Sequence, residues 1–185
     1  MNITIISSSP RPESVSVRVA MHLERLFGQR TSHAIALLDV REWLGHFPEG
    51  QAVYRKRENC PEQLLALYDI MDATDAFILV SPEYNGGYPF AMKRLFDHFN
   101  KQSKKVFGIA TSSTGLMGGM RASLALQHYV VALFGVLSPR MLITPSVTSK
   151  FDESGNLLDS GFQPAIDSFM TEFLWLAEAV AGAAN

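Results

Sequence analysis

Three short stretches of this 185-residue chain gather residue types that can grip an anion or a flat polar ligand. The first, Ser7 to Ser16 (SSSPRPESVS), carries hydroxyls at Ser9, Ser14 and Ser16 and a guanidinium at Arg11, directly before a helix-like run. Hydroxyls, a fixed positive charge and the free amides of a helix start all favour an anion, and together they suit a monophosphate. The second, Ser81 to Phe90 (SPEYNGGYPF), is stiffened by Pro82 and Pro89, while Gly86 and Gly87 permit positive φ and close approach of a ligand to the backbone. Tyr84 can pack against a ring, and amides near Asn85 and Gly86 can donate to heteroatoms on a ring edge. The third, Thr111 to Gly119 (TSSTGLMGG), adds hydroxyls at Ser112 and Ser113 and small residues such as Gly115 that leave room for a ligand.

Each stretch has a plainer reading of its own. The first can be an N-cap serine with a surface arginine, the second a tight loop in which Glu83 and Asn85 are solvated or capping, and the third another cap with turn glycines. Three such loops at neighbouring strand ends are harder to dismiss than any one of them. Neither G-x-G-x-x-G nor G-x-x-x-x-G-K-[ST] follows the first strand, so neither a dinucleotide turn nor a P-loop is supported.

The elements that must position these loops alternate along the chain. Asn2 to Ile6, Ala34 to Leu38, Ala76 to Val80, Val106 to Ala110 and Met141 to Ile143 read as strands. Between them, Val15, Val19, Leu23, Leu26 and Phe27 share a helical face that Gly28 is expected to stop, and Leu64, Leu65, Tyr68 and Met71 mark a second helix. Pro89 is expected at the first position of a third helix, Met120 to Phe134 as a fourth, and Phe169 to Val180 as the closing one. Short continuous apolar strands alternating with helices imply a parallel sheet covered on both faces, a three-layer doubly wound α/β domain. Ligands in such sheets sit beyond the carboxyl ends of the strands, where all three loops fall.

Composition sets limits. The length favours one domain, 1–185, and 47% hydrophobic residues are enough for a sizeable core. Charged residues at 18% fall below the roughly 25% of an average soluble protein, which hints at an oligomer. A net charge of −2 and no basic run longer than Arg55 to Arg57 make nucleic acid an unexpected partner. The start NITIIS lacks a signal peptide's pattern, no apolar run approaches the roughly 20 residues of a membrane span, and one cysteine, Cys60, fits a reducing cytoplasm. Cys60 before Pro61 reads as a small hydrophobe more readily than as a reactive thiol, and the histidines, His22, His46, His98 and His128 among them, have no ligand spacing, so no metal is expected.

On these residues the chain resembles the NAD(P)H-dependent FMN reductase family of flavodoxin-like proteins, which includes quinone, azo-dye and chromate reductases. Ser8 to Ser16 occupies the family's G-S-x-R-x-x-S-x-N loop, with Ser8 in place of Gly and Ser16 in place of Asn. Pro82 to Gly86 matches P-E-Y-N-G, followed by Lys93 and Asp97 on a helix, with His98 replacing a frequent aromatic. Ser112 to Gly119 with Arg121 matches a small-residue loop ending in Gly-Gly and an Arg, and the likeness runs to Phe151 to Leu157. The resemblance implies a flavodoxin-like five-stranded sheet of order 2-1-3-4-5, bound FMN, and hydride transfer from NADPH or NADH to the flavin and on to a flavin, quinone or similar small acceptor.

By that resemblance Ser9, Arg11, Ser14 and Ser16 would hold the phosphate, Pro82, Glu83, Tyr84, Asn85 and Gly86 would line the isoalloxazine, and Ser112, Ser113 and Gly115 would close the other side. No side chain is required as acid or base. The family's dimers or tetramers place a neighbouring subunit beside the flavin; Trp43, Phe47 and Tyr54 are candidates for that wall, or else cover this subunit's own sheet edge. Two rivals are an FMN electron carrier or sensor without nicotinamide activity, and N-glycosyl transfer with Glu83 as nucleophile, for which Asp97 is over two helical turns beyond the loop.

Overall fold

The computed structural model describes residues 1–50 and 52–183; Gln51, Ala184 and Asn185, which the sequence reading includes in its single domain, lie outside the described residues. Strands β1 (Asn2–Ser7), β2 (Ala34–Asp39), β3 (Ala76–Pro82), β4 (Val106–Ser112), β5 (Val136–Leu137) and β6 (Leu142–Thr144) form one sheet. Its order is β2-β1-β3-β4-β5, with β6 also on β4, and every pairing is parallel. The helices are α1 (Val17–Arg30), α2 (Leu65–Ala73), α3 (Phe90–Asp97), α4 (Met120–Ala132), α5 (Val147–Lys150) and α6 (Gln163–Ala183).

Side-chain alternation along the strands divides the core between the two faces. Ile3, Ile5, Ile78 and Val80 pack with Leu23 and Phe27 of α1 and with Ile166, Phe169 and Phe173 of α6. Ile6, Phe77, Leu79, Phe107 and Ile109 pack on the opposite face with Leu67 of α2, Leu95 and Phe96 of α3 and Leu126 of α4. Because both faces are covered, β3 and β4 are buried almost throughout, which is why they read as unbroken apolar runs.

Several local expectations need correction. Gly28 does not end α1, which continues to Arg30 and stops at Thr31, whose amide and hydroxyl both donate to the Phe27 carbonyl. A Cβ at Gly28 would meet nothing within 4 Å, so the glycine rides the open side of the helix at a cost of about 1 kcal/mol relative to alanine. Pro89 is the N-cap of α3 with extended ψ of 148, one residue before the expected position. The fourth helix ends at Ala132, and α6 begins earlier and ends later than its apolar stripe suggested.

The fifth strand position is shared by two pieces. β5 pairs with Val106 and Phe107, the Ser138 amide still donates to the Phe107 carbonyl at 2.9 Å, and the chain then leaves the ladder from Pro139 to Met141 before β6 resumes beside Ala110 to Ser112. Pro139 has no amide for the ladder, which accounts for the detour.

The aromatic segment between β2 and α2 turns inward. Phe47 and Tyr54 are 6% and 7% exposed and stack on the buried His98 ring, with centroids 4.6 Å and 5.9 Å away. His98 Nδ1 donates to the Ala52 carbonyl at 2.7 Å, and the Tyr54 amide donates to the His98 carbonyl at 2.8 Å. Phe47 and Tyr54 are therefore packed within their own subunit, against the end of α3 and not on the sheet edge that the second sequence reading gave them. Trp43 is partly buried against the same core.

Candidate functional site

Parallel register brings the loop-bearing strand ends together. Ser7 at the end of β1 stands beside Asp39 on one side and Val80 on the other, Pro82 of β3 stands beside Ser112 of β4, and Ser112 stands beside Thr144 of β6. At this edge lies a group of buried hydroxyls: Ser7 Oγ, Ser8 Oγ, Thr111 Oγ1, Ser112 Oγ and Thr144 Oγ1 have no hydrogen-bond partner among the described residues. Buried polar groups are almost always paired, so these hydroxyls leave bonding capacity at the strand ends for water or a polar ligand.

In the first loop, Ser9 is buried, accepts from the Arg11 amide at 3.4 Å, and shares a hydrogen bond with the Tyr84 hydroxyl at 3.3 Å. The exposed Arg11 guanidinium lies 4.4 Å from the centre of the Tyr84 ring, so the first and second loops touch through Ser9, Arg11 and Tyr84. Ser14 and Ser16 hydroxyls bond to each other at 2.9 Å at the start of α1. Ser16 therefore makes no side-chain cap, and the first turn of α1 holds no acidic residue, which keeps the positive end of that helix clear for an anion.

A brace that sequence reasoning missed secures this loop. Arg41 ion-pairs with Asp39 at the end of β2, and its Nη1 donates to the Pro12 carbonyl at 2.8 Å. The ion pair and its hydrogen bond push the Arg41 pKa up. Asp39 closes the second strand, so reading the β2 end as the other ends were read would have found it.

The second loop is a tight two-residue turn. Tyr84 and Gly87 exchange backbone bonds of 2.8 Å and 3.0 Å, while Asn85 and Gly86 take φ of 50 and 81. Positive φ at both central residues defines a type I′ turn, the conformation in which Asn-Gly is favoured. Its closing bonds use the Tyr84 and Gly87 amides and do not engage those of Asn85 and Gly86. Glu83 just before it is 18% exposed and accepts from the Arg121 amide at 3.2 Å, with the Arg121 guanidinium 3.5 Å away.

The third loop is fastened to the segment after β6. Ser113 N donates to the Thr144 carbonyl, Val147 N to the Ser113 carbonyl, and Ser146 N to the Gly115 carbonyl, at 3.2, 3.0 and 3.0 Å. Ser113 Oγ donates to the Gly115 carbonyl at 3.0 Å. Gly118, at φ of 60, lies so close to β6 that a Cβ would come within 2.7 Å of Ile143 and 2.8 Å of the Pro145 nitrogen. Leu116 and Met117, beside it, are 86% and 56% exposed.

Other candidate groups do not join this site. Asp97 is held by Lys93 at 2.7 Å on α3 and Glu83 by Arg121, so each carboxylate of the glycosyl-transfer reading is paired with a cation of its own. Burial pushes the Cys60 thiol up, as for an inert apolar residue. Among the described residues no group of three or more His, Cys, Asp or Glu could hold a metal ion, and no helix is long and apolar enough to cross a membrane. A hollow of about 750 Å³ lined by Arg55, Lys93, Phe96, Lys101 and Tyr129 lies between α3 and α4, away from the three loops.

Comparison with known proteins bears on the family and the fold. A family model described as NADPH-dependent FMN reductase matches residues 1–148. An FMN reductase (NADPH) of Pseudomonas aeruginosa is 32% identical over 103 residues, 56% of this chain and 50% of that protein, so the match spans half the relative's length. A quinone reductase of Escherichia coli K12 is 25% identical over 137 residues, 70% of this chain and 73% of that protein. Among solved structures, FerB of Paracoccus denitrificans, a flavoenzyme NAD(P)H:(acceptor) oxidoreductase, superposes with a TM-score of 0.74 at 19% identity over 96% of this chain and 97% of that one, a likeness of fold.

Proposed function

Because the chain belongs to the NADPH-dependent FMN reductase family, we propose that it binds FMN and works as an NAD(P)H-dependent oxidoreductase on a flavin, quinone or similar small acceptor. The observation that carries this reading is the set of buried hydroxyls without partners among the described residues at the carboxyl edge of the sheet, adjoining a helix start with no side-chain cap and an exposed arginine. Those groups fit a phosphorylated ring system, which offers an anion for the first loop and a polar rim for the other two.

FMN, when bound, supplies the hydride chemistry between the nicotinamide and the acceptor, and the chain supplies binding, orientation and one open ring face. Ser9, Arg11, Ser14, Ser16 and the first amides of α1 are assigned to the phosphate. Pro82, Tyr84, Asn85 and Gly86 are assigned to the ring, Glu83 to holding their loop through Arg121, and Ser112, Ser113 and Gly115 to the ring's other side. No side chain is assigned as acid or base.

The reading extends to a homo-oligomer, dimer or tetramer, in the cytoplasm. Met120, Leu124 and Val131 are 46%, 55% and 65% exposed, and their spacing puts them on one side of α4, in line with Leu116 and Met117 beside the site. An apolar stripe of this kind usually marks a contact surface. Steady-state oxidation of NADPH and NADH with FMN-loaded protein, run against a series of flavins and quinones, tests the activity. Turnover with at least one acceptor is expected. Bound flavin that neither nucleotide reduces would refute it in favour of an electron carrier or sensor.

A further inference from the structure

The start of α4 is capped from a neighbouring loop. Its N-cap, Gly119, offers no side chain, and helix starts need acceptors for their first amides. Glu83 Oε2 accepts from the Arg121 amide at 3.2 Å, and Oε1 stands 3.5 Å from Arg121 Nη1. A carboxylate at this end of a helix is also favoured by the helix dipole. The Arg121 stem continues along the Tyr84–Gly87 turn: a Cβ built on Gly86 would lie 3.8 Å from Arg121 Cδ. One ion pair thus joins the loop after β3 to the start of α4, where the loop after β4 ends, and so ties together the two loops assigned to the flavin ring.

We propose that Glu83 and Arg121 form a latch that sets the separation of these loops, so that Glu83 positions the ring-binding amides of Asn85 and Gly86 instead of touching the ring. The proposal rests on the FMN reading above and specifies how that site is held ready. With its carboxylate on Arg121, Glu83 has its charge satisfied inside the protein. Apparent affinity scales with the fraction of molecules whose turn is in place, so releasing the latch weakens binding without removing any contact to the ligand. Because the latch acts on the ring side, FMN and riboflavin should weaken by the same factor, whereas a lost phosphate contact would weaken FMN alone.

The test is titration of the full chain with FMN and with riboflavin, followed by flavin fluorescence well below the unfolding temperature. Glu83→Ala removes the cap and the ion pair together, and about tenfold weaker binding of both flavins is expected. Arg121→Ala keeps the backbone amide, so about threefold is expected. Glu83→Gln, which retains an acceptor for that amide, should recover most of the affinity, and Glu83→Ala combined with Arg121→Ala should bind no more weakly than Glu83→Ala alone. Wild-type protein that binds neither flavin overturns the FMN reading and the latch with it. Wild-type binding with Arg121→Ala unchanged while Glu83→Ala is weakened overturns the latch alone, because it makes Glu83 a direct contact. Equal affinity of all variants also overturns it.

Discussion

Arg11→Ala separates phosphate binding from ring binding. In the structure the Arg11 guanidinium rests 4.4 Å from the centre of the Tyr84 ring, an exposed cation–π contact of about 0.5–1 kcal/mol. A charge-assisted bond to a phosphate is worth about 1.5–3 kcal/mol, and to make it the side chain gives up part of its stacking. The net loss on truncation is therefore about 1–2 kcal/mol, or roughly five- to thirtyfold in dissociation constant. The assay is fluorescence titration with FMN beside riboflavin, which has the ring but no phosphate. FMN affinity should fall by that factor while riboflavin affinity stays within about twofold. Unchanged FMN affinity, or riboflavin weakened as much as FMN, would refute the assignment of Arg11 to the phosphate.

Further perturbations test the scaffold around the site. Gly86→Ala places a side chain at φ of 81 in the turn, so the apo protein should lose about 1–2 kcal/mol and melt a few degrees lower in a thermal scan; an unchanged melting temperature would contradict the type I′ geometry. Burial, the largest cause, lowers the His22 pKa below 6.5, and Nδ1 donates to the Gly155 carbonyl while Nε2 is buried without a partner among the described residues. On acidification the unfolded chain takes up this proton near pH 6.5 and the native one only lower. Its stabilising contribution is thus present above that pH and fades as pH falls through the window below it. The urea midpoint should therefore drop more for wild type than for His22→Gln between about pH 7.5 and 5.5, and equal drops would refute this. Leu124→Glu with Val131→Glu places charges on the exposed stripe of α4, and sedimentation should show monomers where wild type shows an oligomer; an unaltered oligomer would exclude that face.

The alternation of strands and helices could be read from sequence because apolar runs buried on both faces leave a plain pattern, as in β3 and β4. The loops were readable for a related reason: hydroxyls, prolines and glycines gathered where those runs stop. What escaped depended on contacts distant in the chain. The Glu83–Arg121 pair spans 38 positions and the Arg41–Pro12 brace 29, and no local spacing announces either. At the fifth strand position the reading of Met141 to Ile143 found β6 to within one residue, and only the first piece, Val136–Leu137, escaped, because it is two residues long and gains its identity only by pairing with β4. Gly28 misled because a stop signal is only a propensity, and packing of Leu26 and Phe27 carries the helix past it. Phe47 and Tyr54 needed His98, a residue the sequence marked only as a departure from the family, to draw them inward.

The most direct trial is the visible spectrum of purified protein soaked with FMN and freed of excess, recorded before and after anaerobic addition of NADPH and, separately, NADH. A retained yellow chromophore that bleaches rapidly with at least one nucleotide is the expected result. Protein that stays colourless with FMN in excess would contradict the assignment of the three strand-end loops to a flavin.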